Sequence, residues 1–192
     1  MIMLAVACGG DPKAPTITAP DGFTVASSDK EGFAFAVPAE WTPIPLALNP
    51  AIFDKTANSL RLENPKLASI LNQARVLGQS GGLYMAVARD GVANVNLTSD
   101  KPEEKTLAAV VAASKAGLAD FGATNIGEEP ATLSGQPATR LTFRIPVETD
   151  GGTIATDAIQ YYMLKSKKAY ILTVAAAPAE VVSTIASTFT LR

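Results

Sequence analysis

A chain of 192 residues, 47% of them apolar and 18% charged, is long enough for one well-buried domain and too apolar for disorder. Its 16 basic and 18 acidic residues leave a formal charge of -2 with no long block of either sign, which excludes a nucleic-acid-binding surface. There is no histidine, so the usual general base near neutral pH and the commonest transition-metal ligand are both missing, and a single cysteine permits no internal disulfide.

Met1 to Ala7 carry no charge, as at the end of an export signal's apolar stretch, and are far too few for a bilayer-spanning helix, which takes roughly 20 residues. Leu4-Ala5-Val6-Ala7-Cys8, followed by Gly9-Gly10, resembles the lipobox of bacterial lipoproteins. In that family a diacylglycerol is attached to the cysteine sulfur, and cleavage makes this residue the new N-terminus. The resemblance implies lipidation at Cys8 and a membrane anchor on the outer face of a bacterial cytoplasmic membrane. A signal peptide opens with Lys or Arg, whereas the first basic residue here is Lys13, so the expectation is that the true start lies upstream or that the chain is truncated. The alternative, an incidental free thiol, has to contend with a Gly/Pro segment that offers nothing to bury it.

Three segments follow from this: residues 1–8 as the end of a signal peptide, 9–20 (GGDPKAPTITAP) as a Pro/Gly-rich tether, and 21–192 as a single domain. Phe23 to Ala26 is expected as a short strand. Phe33, Phe35 and Val37 alternate with Ala34 and Ala36, which sends the large side chains to one face; Pro38 stops that strand and Trp41 lies on the exit loop. Thr42 to Phe53 (TPIPLALNPAIF) holds three prolines among Ile44, Leu46, Leu48, Ile52 and Phe53, which rules out a regular central strand. A helix is expected from Asn64 as cap and Pro65 as first helical residue, with Leu67, Ile70, Leu71, Ala74 and Leu77 in one stripe that ends at Gly78.

Leu83 to Arg89 then turns at Asp90-Gly91 into Val92 to Thr98, with Ala93, Val95 and Leu97 inward and Asn94, Asn96 and Thr98 outward. A second helix is expected from Lys101-Pro102-Glu103-Glu104 to Gly122, its Leu107, Val110, Val111, Leu118 and Phe121 at helical spacing. From Ala131 onward the chain has the pattern of antiparallel strands. Leu141, Phe143, Ile145 and Val147 form an inward row, and the outward Pro146 suggests an edge. Ile154 to Leu164 and Ala169 to Ala176 carry apolar residues on both faces, as in strands covered from each side. Pro178 begins a last helix through Val181, Val182 and Ile185.

The order of these pieces, GFAFAVPAEW (32–41), a helix, a hairpin ending ANVNLT (93–98), a helix, SGQPATR (134–140), three long strands and a final Ser187-Thr188-Phe189, resembles the PsbP-like fold. That family includes the extrinsic photosystem subunit, a nuclear transport factor that binds Ran, and bacterial lipoproteins of the LpqN kind. The resemblance implies an α+β architecture, an antiparallel β-sheet flanked by helices on both faces, and the role of an accessory or adaptor protein. Fold alone does not fix function.

Gly78-Gln79-Ser80-Gly81-Gly82 fits the Gly-x-Ser-x-Gly nucleophile pattern, but here a helix precedes and a strand follows, the reverse of a nucleophile elbow, and no histidine is present to activate Ser80. Glu103-Glu104 and Glu128-Glu129 are adjacent and so point apart. No catalytic residues, metal site or cofactor are expected. The expected role is a non-enzymatic, lipid-anchored accessory protein that docks another envelope protein. The alternative is a module for a hydrophobic small molecule or lipid held under the 42–53 loop, with Trp41, Ile44, Leu46, Leu48 and Phe53, joined by Tyr84 or Tyr162, as its lining.

Overall fold

The computed structural model describes residues 13–46, 50–149 and 152–192. In chain order the elements are β1 (Phe23–Ser28), β2 (Phe33–Pro38), β3 (Thr42–Pro43), α1 (Pro50–Glu63), α2 (Ala68–Gln79), β4 (Gly82–Val87), β5 (Asn94–Asp100), α3 (Leu107–Asp120), β6 (Thr124–Leu133), β7 (Gln136–Thr149), β8 (Gly152–Lys165), β9 (Lys168–Ala175), α4 (Ala179–Thr188) and β10 (Thr190–Leu191), with a 3-10 turn at Pro65–Leu67 before α2. A seven-stranded antiparallel sheet has the order β3-β4-β5-β9-β8-β7-β6, and a three-stranded one the order β1-β2-β10. The α+β class with helices on both faces of the large sheet is as expected, and the second sheet is an addition to it.

Period-two patterning decides which face each strand buries. Val95 and Leu97 of β5, Leu172 and Val174 of β9, and Met163 of β8 join Phe33, Phe35 and Val37 of the small sheet and Val182 and Ile185 of α4 in one core. Phe35 is fully buried there, its ring 5.2 Å from Tyr84 in an edge-on contact and 5.9 Å from Phe189. Such aromatic pairs contribute about 0.5–1.5 kcal/mol each beyond area burial.

The opposite face of the large sheet carries two separate patches of core. Over β4, α1 and α2 enclose Met85 and Val87 with Phe53, Ala57, Ile70, Leu71 and Ala74. Over β7 and β8, α3 encloses Leu141, Phe143, Ala158 and Tyr162 with Val110 and Val111. Thr106 caps α3, its hydroxyl accepting from Ala109 N at 3.3 Å, so the helix begins after Glu103-Glu104 rather than at them.

Other departures from the sequence expectations have local causes. α1 begins at Pro50, inside the 42–53 segment that its prolines had marked as irregular, and runs on to Glu63; Pro50 stands at the first helical position, where a missing N–H costs nothing. Phe121 falls one residue past α3 and is 77% exposed, so it leaves the inward stripe. β7 is internal, but β6 ends opposite Arg144, which leaves Pro146 with β8 as its only paired neighbour and explains how a proline is accommodated. No described helix is long and apolar enough to cross a membrane.

Candidate functional site

Cross-strand rows on the helix-bearing face of the large sheet show where it is left uncovered. One row runs Met85, Asn96, Thr173, Gln160, Leu141 across β4, β5, β9, β8 and β7. Its ends are buried under α1–α2 and α3, with Met85 1% and Leu141 0% exposed, whereas its three middle positions are polar. The next row repeats this more weakly, with Val87, Asn94, Ala175, Ala158 and Phe143. Larger apolar residues stand where a helix covers the strand, and amides, a hydroxyl and Ala175 stand between the helices.

That strip is the floor of a groove of about 220 Å³. Ile70 and Gln73 of α2 form one wall, Leu118 of α3 the other, and Gly91-Val92 of the β4–β5 turn one end. Asp90 shapes this end, its carboxylate accepting from Val92 N at 2.9 Å and Ala93 N at 3.1 Å. Among the described residues no charged side chain lines the groove.

A hydrogen-bond relay fixes the floor. The Tyr162 hydroxyl donates to Gln160 Oε1 at 2.5 Å, and Gln160 Nε2 donates to Thr173 Oγ1 at 3.1 Å. Burial pushes the Tyr162 hydroxyl pKa up, against a smaller opposing effect from its hydrogen bond with Ser114 of α3, so the phenol stays a neutral donor. Asn94, 8% exposed, donates through Nδ2 to Val92 O at 2.9 Å.

The residues expected to line a ligand site lie elsewhere. Ile44, Leu46 and Phe53 do come together, but they are 3%, 6% and 6% exposed and pack against Ile70 and Leu71 within the α1–α2 core. Trp41 belongs to the core on the other face of the sheet, Tyr84 packs against that same core, and Tyr162 lies under α3. Cys8 and Leu48 lie outside the described residues. The groove floor went unrecognised because Asn94 and Asn96 alternate with Val95 and Leu97 just as solvent-facing residues do; its signal was Thr156 and Gln160 in β8 and Thr173 in β9, polar side chains on the covered face of strands that are mostly apolar.

The remaining chemistry-bearing motifs have structural partners. Gly78 and Gln79 close α2, the Ser80 hydroxyl donates to Val76 O at 2.8 Å, and Gly81 has φ +88° with Ser99 O only 2.3 Å from where a Cβ would stand. Glu128 and Glu129 point to opposite faces, one pairing with Lys115 at 2.8 Å and the other with Arg140. Arg144 pairs with Asp157 at 3.1 Å, and Lys165 donates to Leu191 O at 2.8 Å. Among the described residues no three His, Cys, Asp or Glu cluster as metal ligands would.

No protein-family model matches this chain, and no curated protein does. Among solved structures it is similar to LpqN of Mycobacterium tuberculosis, a protein involved in cell envelope biogenesis, at 12% identity and a TM-score of 0.46 over 83% of each chain. It is also similar to cyanobacterial PsbP (CyanoP) of Synechocystis, at 15% identity and a TM-score of 0.55, covering 90% of this chain and 94% of that one. With the two antiparallel sheets and flanking helices, this shows a PsbP-like fold.

Proposed function

We propose that this chain is a lipid-anchored accessory protein of the bacterial envelope, held on the outer face of the cytoplasmic membrane through Cys8 and acting by docking another envelope protein rather than by catalysis. The carrying observation is the sequence Leu4-Ala5-Val6-Ala7-Cys8-Gly9-Gly10, with small residues before the cysteine as a lipoprotein peptidase cleft requires and a Pro-bearing tether after it. One acyl chain gives only marginal membrane binding, and two or more give a lasting hold. Absence of histidine from the whole sequence also favours binding over general acid–base chemistry.

The alternative, a hydrophobic ligand held under residues 42–53, has less in its favour, because Ile44, Leu46 and Phe53 already make their apolar contacts with α2. The docking reading is tested by cross-linking capture from native membranes with the natural chain and with Cys8→Ala. A specific envelope protein is expected with the anchored chain and lost when the anchor is removed. No specific capture with either chain would overturn the reading.

A further inference from the structure

The geometry points to the groove between α2 and α3 as a binding site for a small, uncharged carboxamide with a short aliphatic flank. This is independent of how the chain is anchored and of what docks on it. Four polar groups reach the groove with hydrogen-bonding capacity left over. Thr156 is 5% exposed, its hydroxyl has no hydrogen-bond partner among the described residues, and no described buried side-chain atom lacks both solvent and a partner. The hydroxyl's remaining accessible surface is therefore in the groove that Thr156 lines. Asn94 uses its amide N–H on Val92 and keeps its carbonyl oxygen. Thr173 accepts from Gln160 and keeps its own O–H to donate. Asn96, half-buried between them, has a whole carboxamide without a partner among the described residues.

Charge, shape and size narrow the class. With no ionic side chain in the lining among the described residues, a charged ligand would lose its hydration without gaining a counter-charge. Among the described residues the one aromatic in the lining, Phe143, is 4% exposed and offers no face on which a sugar ring or nucleobase could stack. A carboxamide side chain such as Asn96 presents a donor and an acceptor side by side in one plane, which matches the N–H and C=O of another amide. Leu118, part-buried on the α3 wall, gives the aliphatic flank its contact. At about 220 Å³ the groove is smaller than the ~300–1,000 Å³ of pockets that take drug-sized ligands, so the occupant is of the size of one capped amino acid.

The test is a titration of the full chain, followed by two-dimensional NMR that includes side-chain amide signals. The probes are N-acetyl-L-alanine methylamide, its uncapped carboxylate N-acetyl-L-alanine, and glucose. The neutral diamide is expected to shift the Asn94 and Asn96 side-chain signals saturably. The carboxylate and glucose are expected to bind about tenfold more weakly or worse, as are the variants Asn96→Leu and the isosteric Thr156→Val toward the diamide. Absence of saturable shifts with the diamide, equal binding of the carboxylate or glucose, or unchanged binding by both variants would overturn the assignment. The three-probe comparison on the natural chain decides even if one variant does not fold.

Discussion

Tyr162 and Gln160, two residues apart on β8, are joined by a 2.5 Å hydrogen bond that links the α3-covered part of the large sheet to the uncovered strip beside it. Tyr162 is 2% exposed, and Gln160 passes the contact on to Thr173 of β9. Replacing Tyr162 by Phe keeps the ring in its core but takes away the donor to Gln160 Oε1. Loss of about 1–3 kcal/mol is expected, as for a part-buried acceptor left unmatched. A denaturant midpoint that falls with an unchanged slope would check this, and an unchanged midpoint would count against the relay.

Gly81 shows why the Gly-x-Ser-x-Gly pattern occurs in this chain. Its φ of +88° is in the left-handed region, and an added Cβ would stand 2.3 Å from Ser99 O, while the Gly81 carbonyl accepts from Ser99 N at 2.9 Å. The close approach is between backbones and cannot be relieved by a rotamer change. Gly81→Ala is expected to lose at least about 2 kcal/mol of stability. Ser80→Ala, which gives up only the exposed hydroxyl contact to Val76 O, is expected to lose far less. Thermal unfolding of the two variants side by side measures the difference.

Stability at alkaline pH should fall for a definable reason. Burial pushes the Tyr84 hydroxyl from 10.0 up to about 12, and Tyr162 shifts the same way. Between those two values the unfolded chain has already released the Tyr84 proton that the folded chain retains. The contribution is complete below pH 10 and is lost as pH rises toward 12, at about 1.4 kcal/mol per pH unit for this group. Urea midpoints on either side of pH 10 should show the decline, and Tyr84→Phe should make it shallower.

Leu46 separates a core role from a ligand-lip role. At 6% exposure it packs within the cluster of Ile44, Phe53, Ile70 and Leu71. Leu46→Ala is expected to cost about 2–5 kcal/mol, the range for emptying a packed leucine site. A residue merely fringing a ligand pocket would lose little, so a change under about 1 kcal/mol would contradict the packing account.

Much of the fold was legible wherever one local signal acted alone. The Asp90-Gly91 turn, the α2 stripe and the Leu141-to-Val147 row needed only turn chemistry or periodicity. Where two signals competed, the sequence misled. The prolines of residues 42–53 hid the start of α1, although Pro50 suits a first helical position and Phe53, Ala57 and Leu60 follow it at helical spacing. The start of β6 was hidden by Gly127, Glu128, Glu129 and Pro130 in an edge strand with an irregular register between Thr124 and Gly127. The groove was illegible for a different reason: Asn96, Thr173 and Gln160 are 77 and 13 positions apart in sequence order, and only the pairing of β5, β9 and β8 sets them in one row. A per-strand pattern cannot reveal which helices stop short of the strand's middle.

The proposed role depends most on the anchor at Cys8, and mass spectrometry of the N-terminal peptide from protein extracted out of native membranes tests it directly. The predicted result is a peptide that begins at Cys8 and carries a diacylglycerol on the sulfur. A chain recovered from the aqueous fraction with an unmodified Cys8 thiol would contradict it.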